Sequence, residues 1–405
     1  MRFAQNTVED ERYGVPFLTS TTMLQADLST LPLISRKMAE SAKYRILRIQ
    51  HGMTLISCSG AIGRMVYTRS DMEGIWSSQD VVKILPNSSE ILSGYLYAYL
   101  SSPIGIELAK SGTYGALVPH IEREHLVRLP IPRLGDEVEQ LAHALVERAA
   151  ESRSNAAAML RQAQEKVRSL FPSGAANTHS VWGVVNASRV QSRLDAYYFS
   201  ERCMMARRAF DDADVDDHCT LGEVAEVFIP GIFKRRYADD PEFGYPYITG
   251  GDVFQISPTS DQYLLRPIAD KYRLRVSKRT ILIQEAGQLG GLIGRSALVG
   301  TYLDGFAVSN NMVRVTTNDD LDTGYVFALL STSEGVRLIA RESAGSSIPH
   351  IDVNRVRNIR IPWPSIEVRR EIGELVTQAQ TLRDQACVDE NEARAIVERV
   401  IEDAS

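Results

Sequence analysis

The chain has 405 residues, 44% of them hydrophobic and 24% charged, an ordinary globular composition long enough for two to three domains. Its net charge of −6 excludes a uniformly basic nucleic-acid binder but not local basic patches. No apolar run reaches the roughly 20 residues of a membrane span, and the start, MRFAQNTVEDER, lacks the apolar core of a secretion signal. A cytoplasmic protein that engages no membrane is expected.

The four cysteines, Cys58, Cys203, Cys219 and Cys387, form no C-x-x-C pair, which predicts reduced thiols and neither a zinc site nor a disulfide framework. Of the 45 basic residues 37 are arginine, the side chain suited to phosphate and guanine. A GC-rich genome produces the same excess.

Taken in chain order, the elements occur twice. Gly14, Pro16 and Thr19 of YGVPFLT recur 230 positions on as Gly244, Pro246 and Thr249. MTLIS and TILIQ, bounded by Gly, Ser and Asn, read as short strands of a compact sheet. At an offset of 231, Gly63-Arg64 recurs as Gly294-Arg295, and Ser78-Gln79-Asp80 as Ser309-Asn310-Asn311. From Gly94 to Pro132 the chain aligns without a gap onto Gly324 to Pro362, with thirteen of 39 positions identical. This stretch predicts an amphipathic helix over 94–111 and over 324–343, a glycine loop, a PHI triplet and a last strand, VRLPIP or NIRIPWP.

A long helix follows each copy. Val368, Ile372, Leu375, Ala379, Leu382, Ala386, Asp389, Ala393, Ile396 and Val400 alternate steps of four and three, a heptad seam. The first copy shows it more weakly, through Val138, Leu145, Ala149, Ser152, Ala156, Met159, Ala163 and Leu170. Helices of about 35 residues span roughly 50 Å, and a seam that long calls for a partner of equal length. The predicted fold is α+β: two tandem β-rich domains, 1–134 and 181–364, each followed by a long helix, 135–175 and 365–405. Residues 181–230 have no counterpart in the first copy, where Met1 aligns with Gly231; the first domain is expected to lack an opening segment.

No catalytic or metal-binding constellation is predicted. There is no G-x-x-x-x-G-K-[ST] loop and no H-E-x-x-H helix. The run GQLGGLIG reads as a turn in a β domain. A nuclease reading from Asp80 and Lys83 fails because the second copy has Asn311 and Arg314 there. His120 and His350 of the PHI triplets read as turn histidines capping backbone carbonyls. Groups suited to DNA contact do recur: Arg64 and Arg295 after a glycine, Ser78, and Gln79, Asn310 and Asn311, whose amides suit adenine. Tyr114, Ser346 and Ser347 precede the PHI triplets with hydroxyls that could reach phosphates, and Lys234, Arg235 and Arg236 form a basic run in GIFKRRY.

Two variable heads, each with GYLYAYLSSPIG or its copy, a glycine loop, PHI and LPIP before a long helix, resemble the specificity (S) subunit of Type I restriction–modification systems or a related phage-defence recognition subunit. The resemblance covers nearly the whole chain. It implies that each head is a target recognition domain for one half of a bipartite double-stranded DNA sequence, and that the helices pair as an antiparallel coiled coil. It further implies docking of two adenine methyltransferase subunits on those helices, around Val138, Leu145, Ala156, Val368, Leu375, Leu382 and Ile396. Those partners carry the catalytic motif and bind S-adenosylmethionine; a motor and nuclease subunit is a separate chain. No cofactor and no catalysis are expected of this chain. A scaffold or inhibitory partner of such enzymes, with heads that no longer read DNA, is the alternative, favoured by the acidic net charge and the short first head.

Overall fold

The computed structural model describes residues 7–8, 10, 12–58, 62–87, 89–114, 120–121, 123–172, 182–190, 193–345 and 347–404. The chain forms two compact units, one of Met1–Asn155, Gln255–Ser257 and Leu382–Ser405, the other of Ala156–Phe254 and Pro258–Thr381. This differs from a division into heads and spacers. Each unit takes one half of each long helix, because a helix seam is stable only when its apolar stripe is covered.

The second unit is built on an antiparallel sheet in the order Ala225–Phe228, Met312–Thr317, Ile281–Gln284, Ser296–Leu298. A smaller sheet sets Gly244–Ile248 between Tyr263–Leu265 and Ala307–Val308. A third pairs Asp217–Thr220 with the last strand, Arg360–Trp363. Val227, Ile281, Ile283, Val313 and Val315 meet Tyr325, Leu329 and Ile339 in one apolar core.

The first unit repeats this plan with fewer strands. Met65–Tyr67, Thr54–Ser57 and Val81–Ile84 form the main sheet, and Leu55 opposes Lys83 as Leu282 opposes Arg314. The smaller sheet runs Thr7–Val8, Leu33–Ser35, Gly14–Leu18, Trp76–Ser77. Among the described residues no counterpart of Asp217–Thr220 or Ala225–Phe228 exists. Val81–Ile84 is therefore an edge strand where Met312–Thr317 is central, and VRLPIP, expected as a strand, has nothing to pair with and forms none.

The amphipathic helix expected in each copy is broken in two: Ser93–Leu100 then Pro103–Ser111, and Thr323–Ser331 then Ser333–Arg341. Ser102 and Thr332 cause the break by capping the second helix, their hydroxyls accepting from the backbone N–H of Gly105 and Gly335. A Cβ on either glycine would lie 2.2 Å from the Tyr99 carbonyl or 2.4 Å from that of Leu329, so the tight corner requires glycine. Gly324 serves another close approach, since its Cβ would fall 2.5 Å from the Cα of Gly373 in the long helix. Gly324→Ala is expected to cost about 1–3 kcal/mol by forcing these backbones apart, read as a lowered urea midpoint; an unchanged midpoint would show that the packing there yields freely.

The long helices are Asp136–Arg168 and Ile366–Asp403. In the first unit Ala142 and Val146 share a core with Ala393 and Val397; in the second, Leu160, Ala163 and Val167 share one with Ile372 and Val376. The start of one helix thus meets the end of the other, the order of an antiparallel pair. The buried track differs from the predicted seam at alternate steps. It runs Ala142, Val146, Ala149, Arg153, Ala156, Leu160, Ala163, Val167, and Ile372, Val376, Ala379, Ala386, Glu390, Ala393, Val397. Alanine every seventh residue marks it, and the larger apolar side chains beside it pack on the heads. Accordingly Leu145 and Ala156 are buried; Val138, Val368, Leu375, Leu382 and Ile396 are half-buried, with Val368 and Leu375 against the second core and Ile396 against the first.

All four thiols are unpaired; Cys58, Cys203 and Cys387 are buried and Cys219 half-buried. Among the described residues no helix is long and apolar enough to cross a membrane.

Candidate nucleic-acid interface

The basic run of the second unit is not a loose loop. Tyr237 bridges to Leu264, the Leu265 amide donates to the Arg236 carbonyl at 3.1 Å and the Ala238 amide to that of Tyr263 at 2.7 Å, so the run extends the small sheet. Along Gly244–Ile248 the alternation of a strand puts Tyr245 and Tyr247 on one face. Arg235 lies over the Tyr247 ring at 5.8 Å, and Arg266 and Arg275 over Tyr245 at 5.5 and 5.0 Å. Burial raises the Tyr247 phenol above its ordinary range, so the ring stays a neutral platform. Lys234, Arg235, Arg236, Arg266 and Arg275 are all exposed. The arrangement can hold phosphates on arginine while the rings restrict where each guanidinium lies.

The first unit repeats the cations. Arg36 opens its helix as Arg266 does, and Arg48 stands where Arg275 stands: Arg48 bridges to Trp76 as Arg275 bridges to Ala307, and the next amides, of Ile49 and Val276, donate to the carbonyls of Ile75 and Phe306. The elements agree: strand Leu33–Ser35 runs into helix Arg36–Ala39 as Tyr263–Leu265 runs into Arg266–Lys271, and burial over 33–40 matches that over 263–270 position by position. Residues 33–48 hold five cations to one acid and 263–279 six to one, strongly basic segments in an acidic chain. Sequence reasoning missed this set, because a difference in length between residues 40 and 47 moves Arg48 off the 230 offset at which Arg36 meets Arg266. The aromatic platform does not recur, since Val15 and Phe17 occupy the positions of Tyr245 and Tyr247. Arg36 instead donates to the Gly14 carbonyl at 2.8 Å.

The turns at 78–80 and 309–311 have matching anchors. Ser78 N–H donates to the Leu18 carbonyl at 2.7 Å and Ser309 N–H to that of Ile248 at 3.1 Å. On the far side Asp80 and Asn311 accept from the amides of Cys58 and Glu285, each at 3.0 Å. Gln79 and Asn311 are exposed and Asn310 half-buried. The Ser78 hydroxyl, expected to face a ligand, is buried without a hydrogen-bond partner among the described residues, as is that of Ser309.

Other predicted positions are spent on the fold. Gly63 and Gly294 have φ of 77° and 81°, which explains the glycine before each arginine. The half-buried Arg64 donates to the Gln255 side-chain oxygen, and Arg295 Nε donates to the Gly291 carbonyl at 3.1 Å. Ser347 is exposed. Tyr114 lies in strand Thr113–Tyr114, paired with His120–Ile121, while Ser346 lies outside the described residues. His350, expected to cap a carbonyl, instead meets a carboxylate, its Nδ1 standing 2.8 Å from Glu285 Oε1. The first unit has Cys58 at the position of Glu285, so this pair is not a shared feature. Lys83, half of the discarded nuclease pair, donates to the Ser77 hydroxyl and the Val81 carbonyl.

These features define a class: a tandem-repeat protein with paired long helices whose two units carry the same basic segment beside the same amide-bearing turn. Residues 217–383 match the family described as the Type I restriction modification DNA specificity domain. The chain is 26% identical over 141 residues to the Type I restriction enzyme MjaVIII specificity subunit of Methanocaldococcus jannaschii, a match that spans 34% of this chain and 29% of that protein. Comparison with solved structures aligns it with the Type-I restriction-modification S subunit from M. genitalium at 12% identity and a TM-score of 0.39, over 98% of this chain and 91% of the other. The HsdS subunit from Thermoanaerobacter tengcongensis aligns at 14% identity and a TM-score of 0.30, over 96% and 90%.

Proposed function

We propose that this chain is the DNA-recognition subunit of a modification complex, reading a bipartite double-stranded target and directing partner adenine methyltransferase subunits, two in number, and restriction subunits to it. The observation that carries the reading is the recurrence of a cation at two structurally equivalent places, Arg36 with Arg266 and Arg48 with Arg275, within basic segments of two units that each carry an anchored polar turn. Cations of this kind hold the backbone, while the amides of Gln79, Asn310 and Asn311 suit base edges. In this reading the chain does no chemistry, and S-adenosylmethionine belongs to the partners.

The test is sequencing of methylated adenines in a host carrying the complete complex, with gel shifts on the motif recovered. Replacing Asn310 and Asn311 by alanine is expected to alter preference at the second half-site by about 1–3 kcal/mol for each bidentate pair removed. An unchanged motif in both variants would remove the turn from the reading surface. Binding of a methyltransferase partner without any selective gel shift would favour the scaffold alternative. Docking is to be mapped by point changes on the exposed helix faces. Deleting 365–405 would instead remove Ile372 and Val376 from one core and Ala393 and Val397 from the other.

A further inference from the structure

A cation lies against each polar turn, Arg314 buried and Lys83 half-buried. Arg314 is 2% exposed and has no carboxylate within ion-pair distance among the described residues. Its guanidinium donates to the carbonyls of Met312 at 2.6 Å, Val308 at 2.8 Å, Ser309 at 3.3 Å and Leu274 at 3.4 Å. Lys83 occupies the same strand position in the first unit, and its ammonium donates to the Ser77 hydroxyl at 2.8 Å and the Val81 carbonyl at 3.1 Å. The partners correspond: Val81 and Met312 open the strand after the turn, and Ser77 and Val308 close the strand before it.

Burying a cation without a counter-ion is costly, and an apolar side chain would fill either space without that cost. Burial pulls the Lys83 ammonium down to about 8 and lowers Arg314 from its ordinary value, with Arg273 adding to the effect. A cation nevertheless stands there twice, as two different residues. What the two have in common is donation to groups on both sides of the turn. Arg314 also reaches Leu274, which lies between Arg273 and Arg275, so one side chain ties the Asn310–Asn311 turn to the basic segment.

We propose that Arg314 and Lys83 are positioning residues for base reading, holding the turns at 309–311 and 78–80 in fixed register with the units that carry them and so setting the sequence preference of each half-site. This rests on the DNA-recognition reading above. The experiment uses the full chain with its methyltransferase partners and a duplex carrying the recovered methylation motif, compared with one altered in a single half-site. Arg314→Met is expected to cut discrimination at the second half-site by about 10–100-fold, the size of one or two base-specific hydrogen-bonded pairs. The salt dependence of binding stays as in the parent, because the phosphate-facing cations remain. Arg314→Lys, with fewer donors but the charge retained, falls between, and Lys83→Met shifts only the first half-site.

Thermal melts accompany each variant. Should Arg314→Met not fold, Arg314→Lys decides alone: reduced discrimination with an unchanged salt slope supports the assignment. Unchanged discrimination, or a parallel loss of matched and mismatched binding, overturns it. If the parent complex itself shows no motif, the recognition reading fails and this assignment falls with it; a parent that discriminates beside variants that discriminate equally well sinks the assignment alone.

Discussion

Replacing Glu390 by Gln is expected to cost about 3–5 kcal/mol of stability, the penalty for leaving a buried charge without its partner. Glu390 sits in the helix track of the first unit at 2% exposure, ion-paired to Arg153, itself 6% exposed. Ser257 donates to it at 3.0 Å, Arg394 at 3.1 Å and the Tyr97 hydroxyl at 3.3 Å, while Arg153 also donates to Ser257 at 2.8 Å. Burial alone would raise this carboxyl, but the charges of Arg153 and Arg394 and these hydrogen bonds outweigh it and hold the group at about 2. A depressed carboxylate contributes stability that is present above its ordinary value of 4.5 and lost as pH falls toward about 2. The parent chain should therefore weaken through that window more steeply than Glu390→Gln. Urea unfolding at pH 7 and pH 4 checks both statements. Arg153→Met should cost a similar amount, and Arg153→Met, Glu390→Met and Arg394→Met together should recover much of it, since apolar side chains of similar volume carry no desolvation penalty. Equal losses at both pH values would show that the pair is solvated in the folded state.

The largest effect on DNA binding is expected from removing the cations of the second unit. With Lys234, Arg235, Arg236, Arg266 and Arg275 all changed to Ala, affinity should fall by about 100-fold or more at low salt for matched and unmatched duplexes alike. The slope of log affinity against log salt should drop by about 0.9 for each phosphate that is no longer neutralised. These residues are exposed, so stability should change little. Changing Arg36, Arg45 and Arg48 of the first unit to Ala should act in the same direction but less strongly. There Val15 and Phe17 replace the tyrosine platform, and the positions of Lys234 and Arg235 fall on Ala4 and Gln5, outside the described residues. The expected footprint is asymmetric, stronger on the second half-site. Gel shifts over a salt series and footprinting measure it; two equally anchored half-sites would show that the cations shared by the units suffice.

Much of this protein was legible in the order of its residues. The duplication, the segment present only in the second copy, the strands around 54–57 and 281–284 and the two long helices follow from local signals: identity at a fixed offset, apolar runs between turn residues, and a seven-residue period. The glycines before Arg64 and Arg295 belong here too, because a left-handed backbone is a local requirement.

What only the tertiary structure decided depends on which groups meet across long separations. Pro103 and the serine or threonine before each second helix broke a helix that periodicity alone ran together. The buried helix track shifted at alternate positions because each long helix covers two surfaces, the opposite helix and a head, and a periodic pattern does not say which apolar residues face which. Glu390 reads as a solvated charge until Arg153 and Arg394 are brought to it. Arg314 reads as an exposed strand residue until four carbonyls, one of them forty residues away at Leu274, close around its guanidinium. A charged side chain carries no local sign of burial, because its burial is stabilised by partners that the fold alone assembles.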